Sequence, residues 1–365
     1  MKNLKLGKAC LSITDGTHST VVDDPTGKCY LLSCKNVKSG NIIITENDRK
    51  ISYSTLIQLR QRTKMEFGDV LLTTVGTIGQ TSYIKDINPN YEFQRSVAIL
   101  KPNKDIILSR YLNFYLSSPK GQYSITSRVK GAVQQCLFLN DLKDIDLDIV
   151  NMPEQQHIVN ILGSIDDKIE NNESIHRKLL NILDFLYLYE TSHSDIVKLG
   201  KFIENFDSQR KPLSSREREK IKGIYPYYGA TEAMDYINKY NFNGSYILLA
   251  EDGTVMDKNE KPIVQYVDEK FWPNNHTHVL RGVGRINNNL LYLILRNTNI
   301  KKAITGAVQL KINQANLNNL EIKLPKNIKN FINIIEPYFK KLFQIKNEIK
   351  LLNHLKRLYL KKFFG

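Results

Sequence analysis

The chain reads as an α/β protein in which one module, short strands leading into a long amphipathic helix, is written twice. Three observations predict this. The tetrapeptide Gly-Ala-Val-Gln stands at 131–134 and again at 306–309, 175 positions apart. Each copy leads into an alternating apolar run, Leu142, Ile145, Leu147 and Ile149 matching Leu317, Leu320, Ile322 and Leu324 at the same offset, and each run meets a proline, Pro153 or Pro325. Beyond each proline the apolar period changes from two, as in a half-buried strand, to about 3.5, as in a coiled-coil seam.

In chain order the first module occupies 1–152. Its opening LKLGKA (4–9) recurs as VKLGKF (197–202), and FGDVLLTTVGTIG (67–79) is echoed by NGSYILLAEDG (243–253). Apolar runs at 70–74, 246–250 and 263–267 predict strands, Gly76-x-x-Gly79 and Glu251-Asp252-Gly253 predict turns, and 109–116 and 290–296 predict short flanking helices. The first long helix is placed at 153–193, with Ile158, Leu162, Ile165, Ile169, Leu179, Leu183 and Leu186 on its seam and Asn172 and His176 as register-setting polar positions. The second module spans 194–324 and the second helix 325–365. There Phe331, Ile335, Tyr338, Leu342, Ile345, Ile349, Leu352, Tyr359 and Phe363 repeat the spacing at an offset of 173, interrupted by Lys356. Pro337 either opens this helix or kinks it.

A length of 365 residues suits two domains, and 41% hydrophobic with 24% charged residues is a globular composition. No run of about 18 apolar residues predicts a membrane span, and the N-terminus lacks a secretory h-region, so a cytoplasmic protein is expected. The excess of 52 Lys and Arg over 37 Asp and Glu, a formal +15, favours a polyanionic partner. Cys10, Cys29, Cys34 and Cys136 form no C-x-x-C pair, which argues for reduced thiols and against zinc.

Catalytic constellations are missing. Gly76-x-x-Gly79 and Gly282-Val283-Gly284 are too short for a dinucleotide fingerprint, and no phosphate-binding G-x-x-x-x-G-K-[ST] occurs. Asn88-Pro89-Asn90-Tyr91 departs from the N-P-P-Y loop of adenine methyltransferases at its third residue. His276-x-His278 shows no third ligand, so no metal is expected. What remains suits the reading of a duplex: Arg60, Arg62, Arg95, Arg128, Lys130 and Gln134 in the first module, and Arg210, Arg216, Tyr227, Tyr228, Asn275, Lys302 and Gln309 in the second. Arginine pairs with guanine, Asn and Gln with adenine, and Lys with phosphate.

Taken in order, DGTHST (15–20), GDVLLTTVGTIG (68–79), MPEQQHIVNIL (152–162), SIDDKI (164–169), YPYYGA (225–230), YILLAEDG (246–253) and FWPNNHTHVL (271–280) resemble the specificity subunits of type I restriction–modification systems over essentially the whole chain. The resemblance implies two α/β target-recognition domains separated by two long antiparallel coiled-coil helices, a pseudo-twofold internal repeat. Each domain would read half of a split, asymmetric site in double-stranded DNA, and Thr17, His18 and Thr77 join the DNA-facing candidates. Two methyltransferase subunits and two ATP-dependent restriction subunits would dock on the scaffold. Candidates for docking and pairing are Glu154, Gln155, Ile158, Leu162, Ile165, Ile169, Leu179 and Leu183 on the first helix, and Ile335, Leu342, Ile349 and Leu352 on the second. The chain itself would be non-catalytic and bind no cofactor, with S-adenosylmethionine, ATP and Mg belonging to its partners. KNIKNFIN replaces EQQHIVNIL after the second proline, which leaves Glu154 and Gln155 without counterparts. The alternatives are a small DNA adenine methyltransferase with its own target domain, which would need a cofactor glycine loop, and a coiled-coil protein adaptor.

Overall fold

A computed structural model describes residues 2–38, 40–131, 135–306 and 310–365. The chain divides into two compact units, 1–172 with 348–365, and 173–347. Among the described residues no helix is long and apolar enough to cross a membrane.

The first unit is built on a four-stranded antiparallel sheet in the order Cys10–Asp15, Val97–Pro102, Val70–Thr73, Thr81–Tyr83. The central strands are apolar at nearly every position because both faces are covered. Ala98, Leu100, Val70 and Leu72 face Tyr111, Leu112 and Tyr115 of the helix Ser109–Ser117. The alternate residues Val97, Ile99 and Leu71 face Leu32, Tyr91 and Phe93 of a three-stranded sheet. Alternation along a pleated strand thus serves two cores, and each fully buried Val, Leu or Ile contributes about 1.5–3 kcal/mol.

The second unit repeats the design on a larger sheet. Its order is Ile203–Asn205, Thr277–Gly282, Phe242–Ala250, Val264–Pro273, Lys222–Tyr228, Ala233–Ile237, with a parallel pairing between Lys222–Tyr228 and Val264–Pro273. Ile247, Leu249 and Leu280 point to the helix Asn288–Asn297, while Tyr246, Leu248 and Val279 pack with Phe242 and Phe271. Asn287 caps that helix by accepting from the Leu290 N–H.

The repeated sequence makes the same joint in each unit. Lys2–Lys5 pairs antiparallel with Asp146–Ile149, and Ile196–Lys198 with Glu321–Lys323. The Leu6 N–H donates to the Ile145 carbonyl at 2.8 Å, and the Leu199 N–H to that of Leu320 at 2.9 Å. Glycine follows each leucine because a Cβ at Gly200 would lie 2.8 Å from Asn318 Cβ, and one at Gly7 would lie 3.1 Å from Lys143 Cβ.

The long helices are Met152–Glu190 and Ile328–Phe364. Within the first unit they run antiparallel, with Lys168 paired to Glu348 at 3.3 Å, Asp166 to Lys356 at 2.6 Å, and the His157 ring against Phe363. Pro337 lies inside the second helix and does not open it, so the Asn333 carbonyl loses its helical donor. The predicted seam needs correction towards its ends. Tyr338, Tyr359, Phe363 and Leu186 are only half-buried, and their neighbours Phe339, Leu360, Phe364 and Tyr187 are the buried residues. These segments pack on globular cores as well as on another helix, so the buried stripe follows the natural 3.6-residue period and drifts from a strict 3.5.

Candidate nucleic-acid interface

Both units present loops at one end of the main sheet, joined by the same hairpin. Lys130 and Cys136 exchange backbone hydrogen bonds at 2.9 and 2.8 Å, and Thr305 and Lys311 do so at 2.8 and 2.8 Å. The hairpin is tied to the strand-end turn in each copy, through Leu137 N–H to the Thr74 carbonyl and Ile312 N–H to that of Glu251. Gly131 and Gly306 occupy the same left-handed backbone, φ +108° and +92°, which a side chain would strain. Gln134 and Gln309 lie outside the described residues.

In the first module the hairpin opens onto a cleft of about 350 Å³ lined by Asp15, His18, Thr74, Arg95, Cys136 and Phe138 among others. Asp15 orients two candidates at once, accepting from Arg62 at 2.6 Å and meeting His18 Nε2 at 2.6 Å. Both keep about half of their side chains exposed. Thr17 is buried, its backbone held between Phe93 and Arg95. Arg95 is exposed, with no side-chain hydrogen bond or ion pair among the described residues. Thr77 is exposed on the neighbouring turn. Burial pushes the Cys136 thiol up, against the pull of Arg95.

Other candidates prove to be structural. Arg60 donates to Glu92 at 2.7 Å and to the carbonyls of Pro89 and Tyr91. Glu92 is fully buried and its carboxyl is held above the usual range by desolvation, so Arg60 is its countercharge and is not free to read a base. Arg128 donates to the Ser124 carbonyl. Lys130 is paired with Asp141 at 2.7 Å but remains largely exposed.

The corresponding end of the second module is closed by its own charges. Arg210 reaches Glu251 at 2.7 Å, the carbonyls of Thr277 and Asn275, and Asp207 at 3.5 Å. The buried His278 places Nδ1 2.5 Å from Asp207 and Nε2 2.8 Å from the Ile312 carbonyl. Burial alone would raise the Asp207 carboxyl, but the His278 bond and the Val279 N–H hold it below the carboxylate range. Asp207, Glu251 and His278 bring ligand atoms within 4.8 Å of one another. Arg210 and Lys311, the latter 3.3 Å from Glu251, already match that negative charge, so the group does not suit a metal cation. The His-x-His pair is split, since His276 turns to Asp252 at 2.6 Å.

The remaining second-module candidates scatter. Tyr227 and Tyr228 are core residues, with Tyr227 Oη accepting from the Leu213 N–H and Tyr228 donating to Glu269 at 2.9 Å. Both were expected on the surface. The Tyr-Pro-Tyr-Tyr run lies in an inner strand, whose aromatic rings fill the sheet face. Arg216 and Asn275 are exposed, whereas Lys302 lines a separate cleft with Tyr187 and Lys323.

The helix candidates are also committed internally. Gln155 is buried and clamps three backbone groups, accepting from Leu108 N–H and donating to Ile106 and Val150 carbonyls, each at 3.0 Å. Ile158, Leu162, Ile165, Ile169, Leu183, Ile335 and Leu342 are buried, and Leu179, Ile349 and Leu352 half-buried. Among these candidates Glu154 alone is exposed. The sequence reading missed a second apolar stripe on the outer face: Ile182 and Phe185 on the first helix, 44% and 68% exposed, and Leu355 and Leu358 on the second, 40% and 53%. These pairs sit at the same 173-residue offset as the seams, a signal that was available from the sequence.

A family model described as the type I restriction modification DNA specificity domain matches the chain twice, over residues 22–181 and 192–357. A protein assigned as a type I restriction enzyme specificity subunit in Haemophilus influenzae is 33% identical over 157 residues, 43% of this chain and 37% of that protein. The EcoBI specificity subunit of Escherichia coli is 32% identical over 162 residues, 44% of this chain and 33% of that protein. The chain thus spans about a third of the length of the curated relatives it matches. The crystal structure of a type I restriction–modification S subunit from M. genitalium covers 100% of this chain, with 96% of its own length included, at a TM-score of 0.57 and 17% identity. That likeness shows a shared fold.

Proposed function

The chain belongs to the type I restriction–modification DNA specificity family, and from that premise we propose that it is the non-catalytic subunit that reads a two-part DNA site. The observation that carries this reading is the coincidence of two family matches with two copies of one hairpin-and-turn joint. Each copy offers loops at a sheet end: an open cleft with Arg95 and His18 in the first module, beside which Arg62 is held on Asp15, and Asn275 and Arg216 on the second. A formal charge of +15 supplies the long-range attraction to phosphates. The repeated outer stripes, Ile182 with Phe185 and Leu355 with Leu358, supply two equivalent apolar docking surfaces, matching two copies of a methyltransferase partner. Methyl donor, ATP and Mg belong in this reading to the partner subunits.

The test is selection from a random duplex pool by the full chain, with and without methyltransferase subunits, together with transfer of labelled methyl groups. Enrichment of two short half-sites separated by unread bases is expected, with methyl transfer only when partners are present. Transfer by the chain alone would return the methyltransferase reading. An unselected pool in the presence of partners would remove the DNA-reading role.

A further inference from the structure

Just beyond the two hairpins, one pair of equivalent positions exchanges a helix cap for an exposed aromatic ring. Immediately after the buried Leu137, Phe138 stands 54% exposed at the mouth of the first module's cleft. It is also the N-cap of the short helix Leu139–Lys143, and it makes no capping hydrogen bond. Its equivalent at the 175-residue offset is Asn313, whose side chain caps the helix Gln314–Asn318 by accepting from the Asn316 N–H at 2.8 Å. The first copy therefore gives up a favourable cap and leaves a large apolar ring in water.

We infer that Phe138 is a base-contacting, specificity-determining residue of the first module, with no counterpart in the second. The inference rests on the reading of these loops as DNA-facing. A phenyl ring offers nothing to a phosphate, but it packs on a thymine methyl or on the face of a base. Arg95 and His18 line the same cleft and supply the polar contacts that would hold a duplex against the ring. In the second module Arg210, Glu251, Asp207 and His278 are spent on one another and Asn313 on its own helix, while Asn275 stays exposed as a polar group at the same end. The two half-sites are thus read with different chemistry, apolar contact in one and polar contact in the other.

The experiment compares wild type, Phe138→Asn and Phe138→Tyr, each as the full chain with its methyltransferase partners, in selection from a random duplex pool. Affinity for the enriched duplex is then measured across salt concentrations. Phe138→Asn should bind that duplex about tenfold more weakly and lose base preference at one or two adjacent positions of one half-site. Its salt slope should be unchanged, because no phosphate contact is removed. Its thermal midpoint should stay level or rise as the cap forms, and Phe138→Tyr should keep the wild-type preference. Wild-type preference and affinity in Phe138→Asn would overturn the assignment while leaving the DNA-reading role intact. So would a uniform loss over all sequences with a shallower salt slope. A wild-type chain that selects no sequence would overturn the DNA-reading role, and this assignment with it.

Discussion

Arg60 and Arg95 are indistinguishable as letters, and the fold gives them opposite work. Arg60 neutralises a carboxylate with no solvent access, so its removal leaves Glu92 without a countercharge, held by the Thr63 hydroxyl at 2.9 Å and the Phe93 N–H at 3.4 Å. Breaking a buried pair from one side costs about 3–5 kcal/mol. Arg60→Ala should therefore lower stability by about that amount in urea denaturation. Arg95→Ala removes an exposed side chain with no partner among the described residues, so its stability should stay within about 0.5 kcal/mol of wild type. If Arg95 reads a base, its loss should relax one position of the selected site by about 1–3 kcal/mol. Equal stability of the two variants would show that Arg60 is not the countercharge. A loss spread evenly over all sequences would make Arg95 a phosphate contact instead.

At the scale of elements, each long helix carries two apolar stripes with different duties. The inner stripe is consumed by packing: Leu162 and Leu360 sit in the core of the first unit, Leu183 and Ile335 in that of the second. Truncating Leu162 to alanine should cost about 2–5 kcal/mol, as for other buried leucines. The outer stripe has no such duty, and Phe185 and Tyr189 stack on each other in solvent, their rings 6.4 Å apart. If two methyltransferase copies dock on these faces as proposed, Leu355→Glu with Leu358→Glu should leave the thermal midpoint nearly unchanged and remove one copy from the complex. Ile182→Glu with Phe185→Glu should remove the other. Native mass spectrometry counts the copies. Two copies retained in both variants would move docking away from these faces.

For the whole molecule, repetition implies independence. Each unit has its own cores, its own strand joint and its own hairpin. Replacing residues 197–324 with the second module of another family member should change one half-site and leave the other as it was, read by sequencing the selected duplexes. A hybrid with both half-sites altered would mean that the modules do not read separately.

The duplicated architecture was legible from the sequence because it is written in periodicity. A period of two before each proline and about 3.5 after it is a property of neighbouring letters, and the 175- and 173-residue offsets needed no coordinates. The role of individual side chains was not legible, because burial and pairing are set by residues far away in the chain. Arg210 is claimed by Glu251, 41 positions on, and Gln155 by the backbone of Ile106 and Leu108. The same distance effect buries Tyr227 and Tyr228 in an inner strand. A basic or amide residue becomes a reader only where the folded chain leaves its hydrogen-bonding groups unspent. That condition is decided by tertiary neighbours, and no local pattern encodes it.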